Sequence, residues 1–176
     1  MIRFLLLFLL IQGVLFGAQL LPWGQEYFVV PWTNSLATIC QAIVAFFDPN
    51  VTAIGKVLRS TTNGFAVSIE AGCNGVEATI VLLAAILAFP APWKYKLLGF
   101  VIGLIAVQGL NIVRVISLFY LGQWNMKWFE WAHLYVWQAL IMLDVLIVFL
   151  IWIRRVPLPE QQNGPSSGAT PTPNAA

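Results

Sequence analysis

The sequence predicts an all-α polytopic membrane protein with four transmembrane helices and a small extracytoplasmic segment. Of its 176 residues, 60 % are hydrophobic and only 9 % are charged, whereas about a quarter of the residues of a soluble domain are charged. The apolar residues also form four stretches close to the roughly 20 residues that a helix needs to cross a bilayer. These stretches cover about residues 4–21, 73–90, 97–121 and 134–153.

The composition excludes several classes of function. The net charge is +2 and the nine Lys and Arg are scattered along the chain, which argues against a nucleic-acid-binding protein. Two cysteines and one histidine are too few for a disulfide scaffold or a conventional zinc site. The sequence therefore predicts neither a metal site nor a cofactor.

The first stretch, 4–21, resembles a signal peptide but is better interpreted as an uncleaved anchor. Its apolar run is longer than the roughly 7 to 15 residues of a signal peptide, and no small-x-small cleavage site follows it. Basic residues flank the stretches, and with four crossings they fall on one side, which the positive-inside rule makes cytoplasmic. These residues are Arg3, Lys94, Lys96, Arg154 and Arg155.

The extracytoplasmic segment, residues 22–72, is too long for a plain turn and is expected to have structure of its own. Leu36–Phe47 is predicted to form a short helix on the membrane surface or against the bundle. After it, alternating apolar residues around Asn63-Gly64, a strong turn pair, predict a small β-hairpin. Residues 1–155 thus form one transmembrane domain, and the Pro-, Gly- and Ser-rich residues 156–176 are expected to be a disordered cytoplasmic tail.

Three reactive side chains are predicted to lie at one depth in the membrane. A helix rises about 1.5 Å per residue and the hydrocarbon core is about 30 Å thick. Counting from the cytoplasmic flanks places Cys73, Arg114 and His133 near the outer border of the membrane, Arg114 within about 5 Å of it. Three different stretches therefore supply a thiol, a guanidinium and an imidazole at the same level.

Cys73 lies in the sequence AGCNGVEA, at the predicted start of the second span. The glycines at 72 and 75 allow another backbone to approach closely. The free N–H groups and dipole of a helix start are expected to lower the pKa of the thiol. Two alternatives remain: a buried small hydrophobe, as most free cysteines are, or a disulfide with Cys40, which is itself better interpreted as a core residue.

Arg114 recurs with Gln108 and Asn111 at intervals of three residues, so that the three share one helix face. A polar face within a span is expected to point toward the bundle rather than toward lipid. A fixed cation there is able to stabilise an oxyanion in a medium of low dielectric constant. The alternative is an arginine that snorkels to the lipid headgroups.

His133 is the only histidine, and it lies among the aromatic residues of a predicted interfacial belt. It is either part of that belt or the natural proton-transfer group of a site. Glu77, four residues after Cys73, is expected to pair with Arg114, to orient His133 or to hold the bundle together. Asp144 is interpreted as structural, protonated or hydrogen-bonded to Gln108 across the bundle.

Together these residues resemble the exosortase/archaeosortase family of multi-pass membrane cysteine transpeptidases. The Asn-Gly-Val-Glu continuation after the cysteine and the short chain are most similar to exosortase H. An additional glycine, Gly72, stands where the family more often has alanine before the cysteine. The segments that carry the resemblance are Ala71-Gly72-Cys73-Asn74-Gly75, Asn111-Ile112-Val113-Arg114 and His133.

The resemblance implies a membrane-embedded protease/transpeptidase that cleaves C-terminal sorting signals of exported proteins at the outer face of the inner membrane. Cys73 is implied to be the nucleophile that forms a thioester, Arg114 the oxyanion stabiliser and His133 the general acid/base. Supporting roles fall to Asn74, Gly75, Glu77 and Asn111. The implied partners are the lipid bilayer and substrates that carry a short motif, a transmembrane helix and a basic cluster.

Two other functions compete with the enzyme. The first is a non-enzymatic membrane assembly or scaffold protein, whose intramembrane polar residues are structural. The second is a proton-coupled carrier that uses Glu77 and Asp144, although the sequence has no visible inverted repeats or Pro-broken helix pairs. A redox role is weaker still, because the chain has no Cys-x-x-Cys pair.

Overall fold

The computed structural model describes residues 2–157 and is mostly helical. Three helices are long and apolar enough to cross a membrane, namely Ile2–Leu20, Trp93–Trp124 and Met126–Ile153. A further apolar helix, Val76–Ala88, has 13 residues and is about 20 Å long, shorter than a hydrocarbon core of about 30 Å. The helical, multi-pass class is therefore confirmed, whereas the count of four spans is not.

Between residues 2 and 157, seven α-helices and three strands follow one another, with two π-helical turns that continue the neighbouring helices. The predicted tail lies outside the described residues from residue 158 onward, but Val156 is buried against the bundle. The elements are α1 Ile2–Leu20, α2 Pro22–Gly24, a π turn Gln25–Val29, α3 Val30–Val44, β1 Val51–Ile54, β2 Val57–Ser60, β3 Ala66–Ser68, α4 Val76–Ala88, α5 Trp93–Trp124, α6 Met126–Trp131, a π turn Ala132–Val136 and α7 Trp137–Ile153.

The segment between α1 and α4 contains both predicted features. The predicted helix over 36–47 is present as α3, but it begins at Val30 and continues without a break from α2 and the first π turn. The predicted hairpin is present as β2 and β3, with Gly64 at φ +74° in the turn. A third strand, β1, was not predicted, and it pairs antiparallel with β2 through a tight turn at Gly55, where φ is +58°.

Two clusters of buried side chains hold the protein together. The outer cluster joins α3 and the sheet to the second half of α5, and it includes Leu36, Leu58 and Phe119, each 0–1 % exposed. The inner cluster joins α4, the first half of α5 and α7 through residues such as Leu82, Val107 and Trp152. The segment that links β3 to α4 runs between the two clusters, and it carries Cys73.

The helix ends that carry basic flanks lie together at one end of the bundle. The Trp152 indole Nε1 donates to the carbonyl of Tyr95 at 2.8 Å, and the rings of Phe4 and Phe89 are 6.3 Å apart. The flanking cations at this end are Arg3, Lys94, Lys96, Arg154 and Arg155. Arg114 lies about 27 Å further along α5 than Lys96, so it is close to the opposite end of a membrane-spanning layer.

Candidate active site

Cys73 lies in a tight loop immediately before α4, between two glycines with left-handed backbone. Gly72 has φ +82° and Gly75 has φ +73°, a region that L side chains rarely adopt. The Cys73 backbone N–H donates to the carbonyl of Glu70 at 2.9 Å, so it is not a free donor of the helix. The thiol is half-buried and unbonded to Cys40.

Asn74 fixes this loop to α3 and to the start of α4. Its side chain is fully buried, its amide donates to Thr33 Oγ1 at 3.1 Å, and its Oδ1 accepts from the backbone N–H of Val76 at 3.1 Å. The indole of Trp32 donates to the Asn74 carbonyl at 3.1 Å. Asn74 therefore holds the loop in place and does not itself line the site.

Gly75 allows α5 to approach the loop closely. The Gln108 amide donates to the Gly75 carbonyl at 3.2 Å and to Thr79 Oγ1 at 3.1 Å. A Cβ atom added at Gly75 would lie 2.8 Å from the Gln108 side chain, which is closer than van der Waals contact permits. The left-handed backbone thus favours glycine at this position, and a larger side chain would also displace the Gln108 amide.

Arg114 points into the protein rather than to the membrane surface. It is 3 % exposed, so the snorkelling alternative is wrong. Its Nη2 donates to Cys73 Sγ at 3.4 Å and its Nη1 to the Gly72 carbonyl at 3.2 Å. The predicted polar face is confirmed, since Gln108 and Asn111 are also buried, and neither amide atom of Asn111 has a partner among residues 2–157.

His133 approaches the same thiol. It lies in the second π-helical turn, a distortion that often occurs at functional sites. Its ring nitrogens Nε2 and Nδ1 lie 3.9 and 4.0 Å from Cys73 Sγ. The ring stacks on Phe129, one turn earlier, with centroids 5.7 Å apart and planes at 9°, so its orientation is fixed by packing.

The three side chains line one cavity of about 120 Å³, at the end of the bundle opposite the basic flanks. The cavity lies between β3, the loop before α4, α5 and the second π-helical turn. Glu70 lies at its rim, where Lys56 Nζ and Ser68 Oγ donate to its carboxylate at 2.6 and 2.7 Å. The remaining lining residues are Val67, Ser68, Ile69, Val115, Leu118 and Phe129.

The expected lowering of the Cys73 pKa by a helix start is wrong. Burial raises the pKa of the Cys73 thiol, the positive charge of Arg114 opposes this rise, and the charges of Glu77 and Glu70 add to it. The helix itself contributes little, because α4 begins three residues later and the Val76 N–H is already bonded to Asn74. The free thiol is therefore neutral at pH 7 and needs a base to become a nucleophile.

Glu77 stabilises the loop through a hydrogen bond and forms no ion pair within residues 2–157. Its Oε1 accepts from the Gly72 backbone N–H at 3.0 Å. Within the described residues the one ion pair joins Lys56 and Glu70. Of the alternatives for Glu77, pairing with Arg114 is therefore not observed, and its contact with Gly72 is a structural one. Glu77 and Arg114 instead hold opposite sides of the same residue, the N–H and the carbonyl of Gly72.

The remaining two candidates, Cys40 and Asp144, do not line the cavity. Cys40 is a core residue, as predicted: it is 0 % exposed, and burial raises its pKa to about 12. Asp144 does not bond to Gln108, whose amide nitrogen is used by Gly75 and Thr79. Among residues 2–157, no group of three or more His, Cys, Asp and Glu side chains is arranged to hold a metal ion.

Alkylation of Cys73 is expected to show the effect of burial and of Arg114 on its pKa. In a Cys40→Ala background the rate of reaction with a small maleimide rises with pH, because only the thiolate reacts. We expect the midpoint of this pH dependence to lie above about 8.5, the usual pKa of a free cysteine. Arg114→Gln moves the midpoint further up, since the charge that lowers the pKa is removed. A midpoint below the usual value, or one unchanged by Arg114→Gln, would contradict this electrostatic assignment.

Several residues of the site were not predicted from the sequence. Phe129 precedes His133 by four residues, a spacing that places the two on one helix face, and this pattern was available in the sequence. Thr33, Trp32 and Glu70 act through contacts made in the fold. The contacts of Trp32 and Thr33 with Asn74 each join residues some forty positions apart in the chain. No sequence pattern connects such residues in a single chain.

Comparison with known proteins gives one match. A model of the transmembrane exosortase family matches residues 3–152, which is most of the chain. The matched range includes Cys73, Arg114 and His133 and all three candidate spans apart from their extreme ends. No curated protein and no solved structure matches the chain.

Proposed function

The chain belongs to the transmembrane exosortase family, and from this premise we propose that it is a membrane cysteine protease/transpeptidase whose nucleophile is Cys73. One observation supports the assignment most strongly. A buried guanidinium and an imidazole, from two different elements, lie within 4.0 Å of the Cys73 sulfur, and all three side chains line one cavity. A scaffold has no need for this convergence, whereas nucleophilic catalysis requires it.

In the first step His133 takes the proton of the Cys73 thiol, and the resulting thiolate attacks a peptide carbonyl of the substrate. Arg114 is placed to stabilise the thiolate through Nη2 and then the oxyanion of the tetrahedral intermediate. Its burial strengthens this effect, because the charge acts in a medium of low dielectric constant. The C–N bond breaks, the proton on His133 passes to the leaving amine, and a thioester on Cys73 remains.

In the second step the thioester is attacked by water or by an amine or hydroxyl acceptor. His133, neutral again, removes the proton of the attacking group, and the thiolate of Cys73 leaves. With water the product is a free carboxylate, and with an acceptor it is a new amide or ester. The same three side chains therefore serve both halves of the reaction.

We place the site at the outer face of the inner membrane, with α4 as the fourth crossing and both termini cytoplasmic. The basic flanks gather at one end of the bundle, which the positive-inside rule assigns to the cytoplasm. Arg114 lies near the other end. Although α4 is short, it packs between α1, α5 and α7, so flanking residues complete its crossing within protein rather than in lipid.

The substrates proposed are exported proteins that carry a C-terminal sorting signal with a motif, a transmembrane helix and a basic cluster. A helix anchored this way places the peptide bond before it at the outer border of the membrane, level with Cys73. The Asn-Gly-Val-Glu continuation after Cys73 favours a subtype close to exosortase H.

The function is tested by reconstituting the purified chain in liposomes together with a substrate of this type. We expect the substrate to lose its C-terminal helix, and a substrate whose basic cluster and helix are deleted to remain intact. Loss of the helix is read from the mass of the substrate. No cleavage of candidate sorting-signal substrates by correctly folded protein would favour the scaffold alternative.

The hydrogen bond from Gly72 to Glu77 predicts different effects for two substitutions. Glu77→Gln keeps an acceptor for the Gly72 N–H and is expected to leave processing nearly unchanged. Glu77→Ala leaves that N–H unpaired and is expected to slow processing about fivefold to tenfold, the effect of one lost hydrogen bond. A strong loss with Glu77→Gln would instead indicate that the charge of Glu77 is required, as in a proton carrier.

A further inference from the structure

The sheet beside the Cys73 cavity has one edge that no strand covers. Its strands lie in the order β1-β2-β3, so that β1 and β3 are the two edge strands. Among residues 2–157, β3 pairs with β2 on one side and with no strand on the other. We call this other side, the backbone of Ala66–Ser68 that faces away from β2, the β3 edge. Such an edge is a template for pairing with another extended chain.

The hydrogen bonds between β2 and β3 determine which backbone groups the β3 edge presents. The carbonyl of Phe65 accepts from a backbone N–H of β2 at 2.8 Å, and the N–H of Ile69 donates to the carbonyl of the residue before β2 at 3.0 Å. Bonded and non-bonded pairs alternate along an antiparallel ladder, so Ala66 and Ser68 form the non-bonded pairs with β2. The N–H and C=O groups of these two residues therefore point outward along the β3 edge.

The opposite edge of the sheet, on β1, is covered. Helix α3 packs against β1, and the N–H of Ala53 donates to Oε1 of Gln41 on that helix at 3.1 Å. Folded proteins commonly cover their edge strands in this way. By contrast, Ala66 and Ser68 are both exposed, so the two edges of one small sheet differ in their access to a partner.

The β3 edge borders the candidate active site. Val67, Ser68 and Ile69 line the same cavity as Cys73 and His133. Neighbouring strands of a sheet lie about 4.8 Å apart. An extended peptide that pairs with β3 therefore runs beside this cavity and presents its carbonyl groups toward the thiol.

The chemistry of the β3 edge restricts its partner. Ala66 and Ser68 carry no charge, and their outward groups are N–H donors and C=O acceptors in alternation. A lipid acyl chain supplies neither donors nor acceptors, and the backbone groups within a helix are already bonded to one another. The backbone of an extended polypeptide matches this edge, as in other proteins that bind a peptide by adding a strand to a sheet.

We propose that the β3 edge binds the residues of the sorting signal that precede the transmembrane helix, as a fourth strand of the sheet. This proposal rests on the proposed function. The outward groups of Ala66 and Ser68 bind the substrate backbone, and the register of this pairing sets which carbonyl meets Cys73. Preference for particular substrate side chains then comes from the residues that line the cavity.

Backbone methylation of the substrate tests the pairing with the unaltered chain. Synthetic sorting-signal substrates carry one N-methyl residue at each of the four positions before the cleaved bond in turn. Successive N–H groups of a strand point to opposite sides, so we expect processing to fall about fivefold or more at alternate positions and to stay within about twofold between them. Equal losses at adjacent positions, or no loss at any, would overturn the proposal.

Two substitutions at Ser68 separate its backbone from its side chain. Ser68→Pro removes the outward N–H, which β2 does not use, and proline is tolerated at such positions of edge strands. Ser68→Ala removes the hydroxyl that donates to Glu70 but keeps the N–H. We expect processing by Ser68→Pro to be at least about fivefold slower than by Ser68→Ala, with the same thermal stability and the same rate of Cys73 alkylation. Equal rates of processing would overturn the proposal.

Photocrosslinking shows where the substrate lies. A benzoylphenylalanine is introduced at Ala66 on β3, or at Ile54, which is 68 % exposed on β1. Both are made in a Cys73→Ala background so that bound substrate is not cut. We expect crosslinks from position 66 to the substrate residues before the transmembrane helix and none from position 54. Crosslinks from position 66 only to lipid, or equal crosslinks from both positions, would overturn the proposal.

The same membranes separate failure of this proposal from failure of the proposed function. Processing is measured there for the chain with an intact Cys73. If the substrate is processed but position 66 does not crosslink to it, the pairing with β3 alone is wrong. If the substrate crosslinks to position 66 but is never processed, the pairing stands and the assignment of Cys73 fails.

Discussion

Replacing Cys73 by alanine is expected to lower substrate processing by about a thousandfold or more, because no other side chain at the site can form a thioester. The substitution removes a half-buried sulfur from a loop held by Asn74 and Glu77. The protein should therefore remain folded and inserted in the membrane, as measured by circular dichroism and by extraction from membranes. Processing is measured from the mass of a reconstituted sorting-signal substrate.

Cys40 provides the matched control for this experiment. It is the other free cysteine of the chain and is 0 % exposed within the outer cluster. Cys40→Ala removes a thiol of the same kind from a position that does not line the cavity, and should leave processing within about twofold once the protein is folded. Undiminished processing by Cys73→Ala, or equal losses in both variants, would remove the basis for the enzyme.

Arg114→Lys is expected to slow processing about a hundredfold, although the charge is retained. The guanidinium donates to two atoms at once, the Gly72 carbonyl and Cys73 Sγ. Lysine has a single nitrogen and cannot reproduce a planar, two-pronged donor. Loss of one oxyanion donor typically lowers rates by about 10² to 10³. The comparison is made from initial rates at saturating substrate.

Arg59 is the control for this substitution, because it lies on β2, where its side chain is exposed. Arg59→Lys keeps the charge at a position without contacts to the site, and processing should stay unchanged. If Arg114→Lys also processed substrate normally, Arg114 would serve only as a charge, and the oxyanion role would have to be abandoned.

The residues that meet at the site could be predicted because the membrane fixes depth. Helical rise converts the distance from a basic flank into a height in the bilayer, and that count placed Cys73, Arg114 and His133 at one level. Their orientation toward each other could not be obtained this way, since the pattern of one sequence does not show which faces of different helices meet. The structure brings the Arg114 guanidinium and the His133 ring within 4.0 Å of the Cys73 sulfur.

The local electrostatics of Cys73 could not be predicted, because they depend on folded contacts. The motif suggested a thiol at a helix start, with the dipole lowering its pKa. In the fold, the loop turns through Gly72 and Gly75 before α4 begins, and burial dominates instead. The activation that we propose depends instead on His133 and Arg114, which arrive from distant parts of the chain.

The predicted fold differs from the structure in the length of a helix and in the pairing of a strand, both of which depend on tertiary packing. Hydropathy extends the second stretch to about residue 73, but the helix begins only at Val76, because the backbone at Gly72 and Gly75 is left-handed and forms a loop. The strand β1 follows the break at Asp48-Pro49 and has only four residues. Such a short strand is stable because it pairs with β2 and packs on α3. The four residues of β1 do not indicate either of these partners.

The central claim, that Cys73 becomes covalently attached to substrate, is tested most directly by trapping the acyl-enzyme. Membranes holding the chain and a sorting-signal substrate are denatured in acid during turnover, and the cysteine peptides are identified by mass spectrometry. We expect the N-terminal part of the substrate attached to Cys73 through a bond that hydroxylamine cleaves, and no adduct on Cys40. Cleaved substrate with no adduct on Cys73, or with the adduct on Cys40, would contradict the mechanism.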